Sequence, residues 1–290
     1  MTEELFKAAL QGHAFVIGTL LGSFANAAID RLPHDRSMLP RSACDNCGHT
    51  IRPRDLVPIL SWMWLRGRCR DCGSSIGAHV PMVELLMGLG AWLLWRRLVP
   101  DLADVDVQHA AAWGVYTLFM LSLLIASYVD IRHRIIPDET SVWAIPAGIL
   151  AAGGLTWIGY EGCLQLSLRT SVMGVLFGGG FFALIAVIAR LTRGRDAMGW
   201  GDVKLVAGMG AFLGPLPGMM LVMTMASVIG AMFGMLSVLV FRGRGWFPFG
   251  PALAIAGVVW MLWGDMIVHA WFPAMGVFMP DTCESGLRLR

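Results

Sequence analysis

Apolar residues in this sequence come in long blocks separated by short polar clusters. Eight blocks approach the roughly 20 residues a helix needs to cross a bilayer core. They are 13–30, 81–98, 110–129, 142–159, 171–190, 203–214, 219–241 and 251–271. The sixth is short and rich in glycine, which suits a tilted or broken span, or a re-entrant element buried in protein. Asp265 falls inside the eighth and leaves its outer end open. No internal repeat or low-complexity stretch stands out. The pattern predicts an all-α polytopic membrane protein with about eight transmembrane helices.

Composition strengthens that reading. The chain has 290 residues, 56% hydrophobic and 14% charged, and a mean hydropathy of +0.64. A soluble chain carries about 25% charged residues, and one this apolar could not cover itself with polar surface. Glu3 and Glu4 open the sequence where a secretory signal would be basic, so the first block reads as a retained span. Charge also orients the map, because cytoplasmic loops carry the excess of Lys and Arg. Sixteen of the 22 basic residues fall on one set of alternate loops, and both termini then lie outside.

Residues 32–80 break the pattern. They are polar and basic, and hold Cys44-x2-Cys47 and Cys69-x2-Cys72. Two CxxC pairs can bring four thiolates to one point, which suits tetrahedral Zn²⁺. The charge map puts them in a reducing compartment, where disulfides do not persist. Redox or unpaired thiols are the competing reading. Four cysteine ligands leave no open coordination position, so a zinc ion here is structural. It would stabilise an insert too small for a core of its own. The organisation predicted is a first transmembrane segment at 1–31, a cysteine-rich, zinc-ribbon-like cytoplasmic insert at 32–80, and a multi-span core at 81–290. The remaining cysteines, Cys163 and Cys283, both map to the outer side, where they could pair or stay as unrelated thiols. The insert's aspartates dilute its basic charge, and membrane anchoring explains its arginines, so nucleic acid is not an expected partner.

Two acids stand out on the cytoplasmic side. Asp130 lies at the end of the third block, before Ile136-Pro137-Asp138, and Asp202 at the start of the sixth, in Gly199-Trp200-Gly201-Asp202-Val203-Lys204. A carboxylate pair sharing one proton can hydrolyse a peptide bond, one acid activating water and the other donating to the carbonyl. Plainer roles compete. Asp202 suits a helix N-cap, and Asp130 could be a solvated acid beside Arg132 and Arg134. Asp138 reads as structural, at the start of the fourth helix. If the acids do form a pair, helix dipoles favour charge on Asp202 and disfavour it on Asp130. Asp130 is then expected to hold the shared proton more of the time.

Further segments carry a resemblance. They are Gly22-Ser-Phe-Ala-Asn26 with Arg31-Leu-Pro33, Asp55-Leu-Val-Pro58, Leu60-Ser-Trp62, Leu65-Arg-Gly-Arg-Cys69, Pro81-Met-Val-Glu84 and Pro248-Phe-Gly-Pro251. With the two acid motifs, in this order, the chain resembles the bifunctional type IV prepilin peptidase and N-methyltransferase family, membrane aspartic proteases of the GxGD type. Asp45 and His79-Val80 depart from that family's usual residues.

The resemblance implies catalytic Asp130 and Asp202, supported by Gly199, Gly201, Lys204, Pro137 and Asp138. It implies a multi-pass protein of the bacterial inner membrane that cleaves prepilins and pseudopilins of type IV pili and type II secretion on the C-terminal side of glycine. The new N-terminus would then be methylated with S-adenosylmethionine. No glycine-rich cofactor signature locates that methyl donor. Glu84 and Asn26, polar groups within spans beside the insert, are the candidates, with interhelical hydrogen bonding the simpler role for Asn26. A protease without methylase activity and a non-enzymatic scaffold with a zinc ribbon are the rival readings.

Overall fold

The computed structural model describes residues 2–99, 105–162, 164, 166–193, 199–241 and 248–271. The suggested pairing of Cys163 with Cys283 falls outside those residues. The regular elements described are helical, apart from two isolated bridges. The chain divides into two compact units, Met1–Arg96 and Arg97–Arg290.

In the first unit, helix α1 (Thr2–Arg31) lies against α3 (His79–Leu98). Glycines make that approach possible: a Cβ on Gly22 would stand 2.6 Å from the Cα of Glu84, and one on Gly18 would stand 2.6 Å from the Cβ of Ala91. Small residues at a crossing let backbones meet, the usual device where lipid offers no hydrophobic drive for association. Between the two helices the insert has little regular structure beyond the five-residue α2 (Leu60–Trp64).

The second unit holds α4 (Val107–His133), α5 (Asp138–Ser141), α6 (Ala144–Trp157), α7 (Leu168–Val175), α8 (Phe181–Arg193), α9 (Trp200–Leu213), α10 (Met220–Phe241) and α11 (Gly250–Trp271). The Asp106 carboxylate caps α4 by accepting from the His109 N–H at 2.8 Å. A capping box of Ser167 and Thr170 starts α7. Both devices satisfy amide groups that a helix start leaves open. A π-helical turn at Leu176–Gly180 joins α7 to α8.

Helix α9 is the hub of this unit. Val203 and the run from Leu205 to Phe212 are buried, and α5, α6, α7, α8 and α11 pack around it. Its glycines explain how so many helices fit. Gly210 meets Gly174 of α7 backbone to backbone, and a Cβ on Gly208 would stand 2.9 Å from the carbonyl of Ser141.

Each of the eight apolar blocks is helical. Five helical stretches are long and apolar enough to cross a membrane: Glu3–His34, Val107–His133, Leu168–Thr192, Pro215–Leu239 and Gly250–Ala270. The other three blocks correspond to α3, α6 and α9. Helices α6 and α9 have 14 residues each, about 21 Å at 1.5 Å per residue, against a hydrocarbon core about 30 Å thick. Helix α3 has 20 residues but includes Glu84, Arg96 and Arg97. The fold is therefore an all-helical membrane architecture with five candidate spans. The sixth block is a single 14-residue helix, α9, largely buried within the second unit.

Candidate catalytic site and cysteine cluster

Helix α4 ends where Arg134 turns left-handed (φ 58°) and its N–H bonds back to the Asp130 carbonyl. That stop leaves the Asp130 side chain in the last turn, 7% exposed. Its Oδ2 accepts the N–H of Gly250, the first residue of α11, at 3.0 Å. A Cβ on Gly250 would stand 2.6 Å from that same oxygen, so the position has room for glycine only while the carboxylate stays put.

Asp202 lies in the first turn of α9, and its N–H bonds the carbonyl of Gly199 at 3.1 Å. The Asp130 carboxylate is near enough to act on it electrostatically. Acids 72 positions apart in sequence are thus brought into one site of the second unit. The dipole argument that separated them counted only the helix on which each sits. Asp130 ends α4 but also faces the start of α11, so both acids meet a helix N-terminus and that distinction disappears.

The flanking motif residues interlock. A Cβ on Gly201 would stand 3.3 Å from the Cβ of Ile136, so the two motif segments pack directly. Lys204 Nζ donates to Asp138 Oδ1 at 2.8 Å. The Pro137 carbonyl accepts both the Thr140 and Ser141 hydroxyls, at 3.0 and 2.9 Å, and both side chains are buried. Asp138 begins α5, consistent with a structural role, and also ties that segment to α9 through Lys204. The part played by Gly250 was not foreseen from its sequence position. Its signal was the Pro248-Phe-Gly-Pro251 segment, whose partner lies 120 residues away.

In the first unit Cys44, Cys47, Cys69 and Cys72 converge, with all four sulfurs within 4.8 Å of one another. The Sγ atoms of Cys44 and Cys72 are 3.8 Å apart. A tetrahedral site with Zn–S bonds of about 2.3 Å has edges of roughly 3.8 Å, so the donor set fits zinc. Each CxxC pair is followed by a left-handed glycine, Gly48 and Gly73, both at φ 71°. Their N–H groups bond back to the Cys44 and Cys69 carbonyls, and the bridges Ala43–Thr50 and Arg68–Ser75 close the two turns. The insert is thus a local repeat of one knuckle, 25 positions apart, that the pattern of apolar blocks does not reveal. Hydrogen bonds from the Ser74 hydroxyl, the Ser74 backbone and Asn46 pull the Cys72 thiol down to about 6, while Cys47, despite the His49 backbone hydrogen bond, is pushed up to about 11 by burial and the crowded Cys44 and Cys72 sulfurs. Arg70 grips Asp55 through three contacts of 2.6–3.2 Å and holds its carboxyl below the ordinary range.

Glu84, buried at 5% exposure, accepts the Ile59 N–H at 2.7 Å. Ile59 has φ 61°, a conformation that a β-branched residue adopts only under constraint. Asn26 donates to the Val80 carbonyl at 3.1 Å. Glu84 therefore serves as a latch on the insert, and Asn26 makes the bond expected of it, to the start of α3.

Comparison with known sequences decides the family. Residues 16–98 match the Bacterial Peptidase A24 N-terminal domain, and residues 117–235 match the Type IV leader peptidase family. A prepilin leader peptidase/N-methyltransferase of Aeromonas salmonicida is 31% identical, with 89% of this chain and 92% of the relative aligned. The chain belongs to the type IV leader peptidase family. The type 4 prepilin-like proteins leader peptide-processing enzyme of Escherichia coli O78:H11 is 34% identical over 88% of this chain and 94% of its own length. A prepilin leader peptidase/N-methyltransferase of Pseudomonas aeruginosa is 31% identical over 90% and 93%. No solved structure matches the chain. The first match takes in α1, the insert and α3, and the second runs from within α4 into α10, across both acids.

Proposed function

We propose that the protein is a membrane aspartic endopeptidase that removes prepilin and pseudopilin leaders and then methylates the new N-terminus. The observation that carries this is the joining of Asp130 and Asp202 in one site of a chain from this family. One ionised carboxylate takes a proton from water as the water oxygen attacks the scissile carbonyl. The neutral partner gives its proton to the carbonyl oxygen. When the tetrahedral intermediate collapses, the leaving amine takes up a proton and the acid pair is restored. The pair titrates as a unit, so the two roles are not assigned. The Gly250 N–H fixes one of the reacting oxygens in place, and the Lys204–Asp138 pair and Ile136 against Gly201 hold the two motif segments in register.

The substrate is expected to be a helix in the bilayer whose leader reaches the cytoplasm and whose glycine precedes the scissile bond. A glycine lowers the cost of unwinding the site by about 1 kcal/mol relative to alanine. Eight spans, with α3, α6 and α9 crossing as short or tilted members, put both acids and the insert at 32–80 on the cytoplasmic side of the inner membrane. The four cysteines would hold a structural zinc ion. S-Adenosylmethionine supplies the methyl group that the freed amine takes up.

The test is cleavage of a membrane-embedded prepilin by wild type, Asp130→Asn and Asp202→Asn, with the product's N-terminal mass recorded. Loss of cleavage in each folded variant, and a wild-type product heavier by one methyl group, is the expected result. A variant that cleaves normally removes the acid pair. A product without the added mass leaves a protease alone.

A further inference from the structure

Helix α2 turns one side into the insert and the other out of it. The Trp62 indole donates from Nε1 to the Ile76 carbonyl at 3.1 Å, and a Cβ on Gly67 would stand 2.9 Å from its ring. Those contacts fix the inner side. On the outer side Leu60, Met63 and Trp64 share one face by their spacing of three and four. All three are exposed, Trp64 at 83%. Leu56 and Val57, just before the helix, are exposed as well. Large apolar side chains clustered on a small polar insert mark a surface that something covers.

The depth of α2 indicates what covers it. The N–H of Ile59, the residue that caps α2, is held by Glu84 of α3 at 2.7 Å. Glu84 lies five residues after His79, about 7.5 Å along the helix at 1.5 Å per residue. Interfacial helices embed their apolar faces to a similar depth, roughly 5–10 Å. Around that level the long helices of the first unit already turn apolar side chains outward. These are Met82, Leu85 and Leu86 on α3, and Leu20 and Phe24 on α1, beside the Gly22 that meets Glu84. The latch therefore sets the start of α2 where headgroups meet acyl chains. Charge agrees. Arg54, Arg66 and Arg68 flank α2 and are exposed, and they stand outside the ion pairs of Arg70 with Asp55 and Arg52 with Asp71. Anionic headgroups attract such residues, and tryptophan favours the same boundary.

We propose that α2 is an interfacial anchor that seats the insert on the lipid bilayer. Leu60, Met63 and Trp64 enter the boundary between headgroups and acyl chains, and the flanking arginines meet anionic phospholipid. The inference rests on α1 and α3 crossing the bilayer, and on neither the acid pair nor methyl transfer.

The experiment uses the full metal-loaded chain in bilayers of phosphatidylethanolamine and phosphatidylglycerol. A trace of phospholipid carries a photoreactive group near the top of its acyl chain. After irradiation and trypsin digestion, mass spectrometry reads lipid adducts on three peptides: 55–66 with α2, 42–54 with the first knuckle, and 71–96 with the outer face of α3. The expected result is several-fold more adduct on 55–66 than on 42–54. It should fall to the 42–54 level in Leu60→Ser/Met63→Ser/Trp64→Ser, at unchanged metal content and melting temperature. Replacing phosphatidylglycerol with phosphatidylcholine should lower the label on 55–66, and label that ignores the exchange overturns the role given to the arginines. Equal label on 55–66 and 42–54, or label that survives the triple change, overturns the anchor. Absence of label on 71–96 overturns the depth argument and the anchor with it. Trp64→p-benzoylphenylalanine, irradiated in native membranes, gives a second reading. Adducts with lipid are expected, and a cross-link to a second copy or to a prepilin assigns the face to protein and overturns the proposal.

Discussion

At the residue scale the proposed site depends on one absent side chain. Gly250 presents its N–H to Asp130 from a position where a Cβ would stand 2.6 Å from the accepting oxygen. Gly250→Ala should push the carboxylate aside while costing the start of α11 little. Misplacement of a reacting group by about 1 Å costs on the order of 10²-fold in rate. The expected outcome is a fall of that size in kcat for prepilin cleavage, with KM and melting temperature nearly unchanged. A variant with wild-type kcat would show that Asp130 does not need this anchor. Lys204–Asp138 is the contrasting case. The pair is exposed, at 42% and 62%, and exposed pairs contribute about 0.2–1 kcal/mol. Lys204→Met should therefore barely move the thermal midpoint, and any loss of cleavage beyond a few-fold would report positioning of the motif.

Among the elements, a buried ion pair within the second unit, Arg97 with Asp265 of α11, makes the sharpest prediction. Arg97 Nη2 lies 2.6 Å from Asp265 Oδ1, and the two side chains are 2% and 7% exposed. Removing one member of a buried pair typically costs about 3–5 kcal/mol, because the other charge is left without compensation, whereas replacing both with apolar residues is often neutral. Arg97→Met should lower the melting temperature in detergent markedly, and Arg97→Met/Asp265→Leu should recover most of the loss. If the double variant melts as low as the single one, the pair contributes something other than charge compensation. Asp265 left the end of the eighth block uncertain in the sequence. In the fold the helix continues to Trp271, because Arg97 offsets the charge. The apolar blocks identified every long helix among the described residues, since length and hydropathy are local properties. They set the short, glycine-rich α9 apart but could not separate α6 from a full-length span, and they could not show that α9 is enclosed by α5, α6, α7, α8 and α11.

For the molecule as a whole, the two units rely on different physics. The second exposes large apolar side chains such as Leu191 at 81% and Leu239 at 72%. In the helical stretches Leu168–Thr192 and Pro215–Leu239, only 17% and 22% of the apolar 18-residue window is buried. Such surface is covered by lipid in a membrane protein. The insert of the first unit has no comparable core, and its two knuckles meet at four sulfurs. Stripping the metal with a chelator should therefore open the insert to trypsin at Arg52, Arg54, Arg66, Arg68 and Arg70, while cleavage within residues 199–241 does not change. Cys44→Ser/Cys69→Ser should behave like the stripped protein. An insert that resists trypsin equally with and without metal would show that side-chain packing alone holds it.

The sequence by itself determined the helices, the cysteine spacing and the two acidic motifs. Apolar runs, CxxC pairs and glycine-flanked acids are local patterns, and local patterns are written in adjacent residues. Tertiary structure decided what those patterns meet. It brought Gly250 to Asp130 across 120 positions, Asp138 to Lys204 across 66, and Glu84 to the strained Ile59 across 25. It also revealed that the insert repeats one turn, and that Asp130 faces two helix ends rather than one. Such contacts depend on where helices stop and which small residues let them approach. Those choices are made jointly by segments far apart in the chain, so no window along it contains them.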